Sequence, residues 1–194
     1  MLNCLLAGVG GQGTVLASKL LAQAAIKQGL QARTAETIGM AQRGGCVVSH
    51  VRIGRESYSP LITAGQADVL IGFEPAEAVR CLSYLKKGGT VIVSNHAIKP
   101  ITDTFSKVPY DEKVMLDYLK KQVENLVVVD TEEVSKKAGS SKVVNIALLG
   151  AASASGCVSI SKEELLQIIS EQIPEKYQKM NKTALLEGAK YAED

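Results

Sequence analysis

The apolar run at residues 2–7, which breaks into Gly8-Val-Gly10-Gly11-Gln12-Gly13 and then into a helical pattern, constrains this chain more than any other feature. Leu16, Leu20 and Ala24, flanked by Ala17, Leu21 and Ala25, recur at helical spacing over 15–28, and Gly29 supplies a left-handed stop. The order strand, glycine loop, helix is the context in which Gly-x-Gly-x-x-Gly carries meaning. Glycines there let the backbone turn sharply and approach a pyrophosphate, and the helix amino terminus offers free N–H groups and partial positive charge. Glu36 falls at the end of the next expected strand, where a dinucleotide fold places its ribose-binding acid. Gly8, Gly10, Gly11, Gln12, Gly13 and Glu36 are therefore candidate cofactor-binding residues, with close helix–strand packing the competing reason for the glycines.

The remaining pattern alternates. Strands are expected over 31–35, 46–53, 69–73, 90–94 and 126–129, the last three being near-continuous apolar runs typical of strands covered on both faces. Between the third and fourth of these, Pro75 at a first helical position, apolar Ala78, Leu82 and Leu85, and Lys86-Lys87-Gly88 predict one helix from Pro75 to Lys87, stopped by Gly88. Polar 111–124 reads as a helix, 143–160 as a packed helix plus a loop, and Ser161-Lys-Glu-Glu164 as a capping box before a helix that ends at Pro174. A last helix is expected over 183–192. The sum is an α/β fold: an open, mostly parallel, Rossmann-like sheet with helices on both faces, whose ligand edge is the carboxyl ends of the strands. At 194 residues the working count is one domain, 1–194, with 160–194 as a carboxyl-terminal helical segment.

Composition removes several functions. A net charge of +2 gives no field for nucleic acid or for a membrane surface, and 143–160 is too polar to span a bilayer. Cys4, Cys46, Cys81 and Cys157 never form Cys-x-x-Cys, and only His50 and His96 exist, so no metal or cluster spacing is present. With no signal-peptide pattern at the amino terminus and too few cysteines for a disulfide framework, the chain is expected in the cytoplasm. There is no Gly-x-Ser-x-Gly elbow, and no P-loop lysine follows the glycines.

The most unusual segment runs from Glu36 to Gly54 and contains Gly39-Met-Ala-Gln-Arg43-Gly44-Gly45. Period-2 counting sets Cys46, Val48, His50 and Arg52 on one strand face. With Arg43 they would form a cationic cluster for a carboxylate or phosphate, the alternative being a solvated face. Glu74, just after a buried strand, either accepts a hydrogen bond from a ligand or caps the following helix, capping being favoured. Asn145 sits in an apolar helical stretch and needs a partner if buried.

These motifs, together with Ser49-His-Val-Arg52, Ser59-Pro-Leu-Ile62, Ala67-Asp68, Phe73-Glu74-Pro75 and Ile98-Lys-Pro100, resemble the gamma-type subunit or domain of the 2-oxoacid:ferredoxin oxidoreductases. Asn145 to Gly150 and Asn181 to Gly188 extend the likeness more loosely. Met-Ala-Gln-Arg-Gly-Gly looks more like the indolepyruvate type than the pyruvate type. The resemblance implies a cytoplasmic hetero-oligomer that decarboxylates a 2-oxoacid on thiamine diphosphate, passes electrons through iron–sulfur clusters to ferredoxin and releases an acyl-CoA. This chain has no Gly-Asp-Gly segment for magnesium-bound thiamine diphosphate and no cluster cysteines. Thiamine diphosphate, Mg2+ and 4Fe-4S clusters are therefore expected on a larger partner subunit. CoA is expected as co-substrate, with Arg43, Gly44, Gly45, His50, Arg52 and Glu74 facing substrate, CoA or partner. The competing readings are a free-standing nucleotide- or flavin-binding Rossmann-type oxidoreductase and a non-enzymatic nucleotide-binding module.

Overall fold

A computed structural model describes residues 1–38, 45–54, 59–99, 103 and 110–193. Six strands, β1 (Leu2–Val9), β2 (Ala32–Ile38), β3 (Cys46–Ile53), β4 (Ala67–Gly72), β5 (Leu85–Ser94) and β6 (Asn125–Val129), form one sheet in the order β2-β3-β1-β4-β5-β6. β1, β4, β5 and β6 pair in parallel, whereas β3 is antiparallel to both β1 and β2. The sheet is thus open and mostly parallel, as expected, with one reversed strand. Nothing in a period-2 pattern encodes strand direction, and β3 enters the gap between β1 and β2.

Helices cover both faces. On one, α1 (Thr14–Lys27), α4 (Thr131–Ala138), α5 (Val144–Ala154), α6 (Lys162–Gln172) and α7 (Glu175–Ala189) enclose a core with Cys4, Leu6, Val51, Val69, Ile71 and Ile92. On the other, α2 (Pro75–Arg80) and α3 (Glu112–Gln122) cover Leu5, Ala7, Leu70, Val91 and Val93. The alternation of β1 between these two clusters is the pleat itself.

α1 begins at Thr14 and ends in a paired cap: Gly29 N–H donates to Ile26 O and Leu30 N–H to Ala25 O, the arrangement that a left-handed glycine after the helix permits. α5 is apolar on nearly every side because residues 145–152 are all buried, and α7 crosses it with backbones nearly touching. A Cβ on Gly150 would lie 2.1 Å from Leu185 O, and one on Gly188 would lie 2.0 Å from Ala147 O. The capping box of α6 forms as read, Ser161 and Glu164 each bonding the other's backbone N–H.

Two element expectations need correction. The helix expected from Pro75 to Lys87 is only six residues, followed by a 3-10 turn at Leu82–Tyr84. Leu85, Lys86, Lys87 and Gly88 already belong to β5. Leu85 pairs with Ala67 and Lys86 forms an ion pair with Asp68, while the register shifts before Thr90 meets Val69. Lys-Lys-Gly is therefore a bulge and not a helix stop: sheet pairing outweighed a local cap signal. The last helix begins at Glu175, eight residues before its expected start, directly after Pro174.

Candidate functional site

β1 leads through α1 to β2 on one side, and β4 leads through α2 to β5 on the other, so the loops after β1 and β4 diverge at the carboxyl edge. That divergence is the ligand crevice of open α/β sheets. The glycine loop stands there, with Gly10 N–H donating to Gly45 O at 2.9 Å and so tied to the start of β3. Gly13 is the residue before α1, left-handed at φ 79, and no side chain caps the helix. Its first turn carries no acid, which leaves the N–H groups and partial positive charge of that end for an anion. Space around Gly11 is open, since a Cβ there would meet nothing within 4 Å.

Two amides hold this loop. Gln12 accepts from Val9 N–H through Oε1 at 2.8 Å and donates through Nε2 to Phe73 O at 2.8 Å. Asn145, in the first turn of α5 and 2% exposed, donates through Nδ2 to Gly13 O at 3.3 Å. A Cβ on Gly13 would lie 2.7 Å from that nitrogen. Asn145 Oδ1 is buried without a partner, a costly state for an amide oxygen. The sequence pointed to a need for a partner at Asn145; that the partner is the glycine loop, 132 positions away, was not legible.

Glu74 is 2% exposed and caps α2, accepting from Glu77 N–H at 3.0 Å, while the Tyr110 hydroxyl donates to its other oxygen. Burial raises its pKa above the ordinary carboxylate value, and these hydrogen bonds pull the other way. The favoured capping role is what the geometry shows. Beside it, Glu77 is 3% exposed, bonds Arg80 through Oε1, and leaves Oε2 buried without a partner. Sequence reasoning passed over Glu77, which carries no signal beyond an acid in a first helical turn. The Cys46 thiol is pushed up to about 12, chiefly by burial and further by the nearby Glu77 carboxylate.

The other expected residues scatter. Glu36 lies two strands from β1, because β3 intervenes. Two interstrand spacings amount to about 10 Å, so it does not stand on the strand next to β1, where a dinucleotide fold places its ribose acid. Instead its carboxylate lies 3.3 Å from Ser18 Oγ on α1. His50 and Arg52 do share a face, but both are engaged elsewhere. His50, 5% exposed, accepts from Ile62 N–H through Nδ1 at 3.1 Å and meets Tyr84 edge-on. Burial lowers its pKa, which keeps that nitrogen free to accept. Arg52 donates to Asn3 Oδ1 at 3.0 Å and to Ser59 O at 2.9 Å. It pairs with Asn3, whereas Cys46 pairs with Val9 beside the glycine loop. Six residues of strand separate the two positions, about 20 Å, so Arg52 cannot join a cluster at the carboxyl edge. Arg43 and Gly44 lie outside the described residues.

Burial raises the pKa of all four cysteines, with Cys81 at about 11, so none has the lowered pKa of a reactive thiol. Among the described residues no group of three His, Cys, Asp or Glu side chains is placed to hold a metal ion. Among them, too, no helix is long and apolar enough to cross a membrane.

Residues 3–191 match the family model described as pyruvate ferredoxin/flavodoxin oxidoreductase. The indolepyruvate oxidoreductase subunit IorB of Thermococcus kodakarensis is 36% identical, over 99% of this chain and 96% of its own length. The pyruvate/ketoisovalerate oxidoreductases common subunit gamma of the same organism is 30% identical, over 93% of this chain and 96% of its own. Among solved structures, the gamma subunit of a keto/oxoacid ferredoxin oxidoreductase from Geobacter sulfurreducens superposes with a TM-score of 0.71. It is 27% identical, over 99% of this chain and 98% of that one.

Proposed function

The chain belongs to the pyruvate ferredoxin/flavodoxin oxidoreductase family, and from that premise we propose that it is the gamma-type subunit of a 2-oxoacid:ferredoxin oxidoreductase acting on indolepyruvate or a related aryl 2-oxoacid. The observation that carries this reading is the end-to-end match to the indolepyruvate subunit, at 36% identity against 30% for the pyruvate/ketoisovalerate subunit of the same organism. The complex would oxidatively decarboxylate the 2-oxoacid, transfer the acyl group to CoA and pass two electrons to ferredoxin. Residues 1–194 would form one gamma-type catalytic domain, 160–194 its carboxyl-terminal helical segment.

Thiamine diphosphate, Mg2+ and the 4Fe-4S clusters belong, in this reading, to a larger partner subunit, since the cysteines here are dispersed in sequence and no Gly-Asp-Gly segment is present. The aryl pocket would also come largely from that partner, aromatic residues being 4% of this chain. What this chain contributes is the carboxyl edge: the uncapped end of α1, Gly10, Gly11 and Gly13, and Gly45, whose carbonyl takes the Gly10 N–H. There an anion such as the CoA pyrophosphate would be held by backbone N–H groups, with Arg43 and Gly44, just before Gly45 in sequence, as the further candidates. A free-standing dinucleotide enzyme is less well served, because Gln12 fills the crevice and Glu36 stands two strands away.

Reconstitution tests the reading. Co-expressed with its larger subunit, the chain should support CoA-dependent ferredoxin reduction with indolepyruvate at a kcat/KM above that with pyruvate, while neither chain alone does so. An isolated chain that retains flavin, or that is thermally stabilised by nicotinamide nucleotides, would overturn it.

A further inference from the structure

In an open α/β sheet the crevice between the loops after β1 and β4 is the usual seat of a bound nucleotide. Here the protein fills that seat with its own side chain. Gln12 spans the two strands, taking the Val9 N–H on one side and giving a proton to Phe73 O on the other. Phe73 N–H in turn donates to Ala7 O at 2.8 Å, which closes the same gap at backbone level. The fit is tight: a Cβ on Gly8 would lie 2.7 Å from Gln12 Oε1 and 2.9 Å from Phe73 Cβ. On the outer side the loop is open at Gly11, and beneath Gly13 the buried Asn145 presents an oxygen with no partner.

We propose that Gln12 is a positioning residue and not a ligand contact: bridging β1 and β4, it closes the inner crevice and turns the N–H groups of Gly13 and the first turn of α1 outward. A bound anion then sits on the outer rim of the loop, where a partner subunit can complete its site. Two oriented hydrogen bonds are needed for this, so bulk alone does not replace the side chain. The proposal rests on the reading above that the loop holds the pyrophosphate of CoA.

The test uses the assembled oxidoreductase complex with three variants. Gln12→Met keeps the bulk and loses both bonds. Gln12→Glu keeps the acceptor for Val9 N–H but faces Phe73 O with a carboxylate, and only its protonated form restores a donor. Leu16→Glu leaves Gln12 alone and sets a negative charge in the first turn of α1, at a position 42% exposed. Gln12→Met should raise KM for CoA about tenfold at every pH, about 1.4 kcal/mol of lost binding, because both bonds that hold the loop are gone. Gln12→Glu should show a similar rise at pH 8 that narrows toward wild type at pH 6, and KM for ferredoxin should stay unchanged in both. A fold defect would move every parameter and would not follow the pH.

If Leu16→Glu raises KM for CoA while both Gln12 variants stay within about twofold of wild type, the positioning role is wrong and the site stands. If Leu16→Glu changes nothing, the anion site itself is misplaced. Loss of assembly in both Gln12 variants also overturns the proposal, because the bonds would then support the fold and not the presentation of the loop.

Discussion

The two ends of β1 use polar groups in opposite ways. At its amino end the charged and amide side chains are engaged, while Ser49 Oγ at mid-strand has no partner among the described residues: Arg52 bonds Asn3 and Ser59, Asn3 N–H donates to Asp68, Asp68 pairs with Lys86, and His50 further along takes the Ile62 N–H. At its carboxyl end the structure leaves polar capacity unused. Asn145 Oδ1 and Glu77 Oε2 are buried without hydrogen-bond partners among the described residues, and no side chain caps the first turn of α1. Folding alone rewards complete pairing, so an end that leaves acceptors and helix N–H groups unanswered is the one prepared for something further. The cationic residues that looked most like ligand groups, His50 and Arg52, lie at or toward the end that needs nothing.

This contrast can be broken by substitution. The largest effect is expected from Gly13→Ala, which places a Cβ 2.7 Å from Asn145 Nδ2 on a left-handed residue. Strain of about 1–3 kcal/mol is expected in thermal unfolding, together with a rise of at least about tenfold in KM for CoA in the complex. Wild-type kinetics would place the functional end elsewhere. Arg52→Ala should behave in the reverse manner. Losing charge-assisted bonds to Asn3 and Ser59 on a partly exposed side chain costs about 1–2 kcal/mol of stability, read by chemical denaturation, with kcat and the KM values for CoA and 2-oxoacid unchanged. A selective rise in KM for CoA would return Arg52 to the site.

The smallest effect concerns pH. His50 has its pKa lowered by burial, so below about pH 6.5 the unfolded chain binds the proton more readily than the folded one. Stability should fall as pH drops from about 6.5 through the lowered folded value, by at most about 1.4 kcal/mol per pH unit. It should be fully present above pH 7. Gln or Asn at position 50 supplies an acceptor for Ile62 N–H that does not titrate, so His50→Asn should flatten this slope in urea titrations between pH 5 and 7. An unchanged slope would remove His50 from the account.

How much of this was legible depended on the range of the interaction. β3 was read to its end residues, Cys46 and Ile53, because a β-branched run bounded by glycines, Gly45 and Gly54, is a local property. The glycine loop and the capping box at Ser161 were read for the same reason. The direction of β3 was not legible, and with it went the placement of Glu36, since strand order is decided by which faces find partners and not by the pattern within a strand. Lys86-Lys87-Gly88 misled because a positive-φ glycine ends helices and forms bulges alike, and only pairing with β4 separates the two. At the candidate site, the glycines were visible as a motif, whereas the hold of Gln12 on Phe73 and of Asn145 on Gly13 joins residues 61 and 132 positions apart.

Hydrogen exchange of the assembled complex, measured with and without CoA, tests the contrast most directly. Slowed exchange is predicted across residues 9–16, at the glycine loop and the first turn of α1, with residues 50–62 unchanged. Slowing confined to 50–62, with the glycine loop indifferent to CoA, would contradict the assignment of function to the carboxyl end of β1.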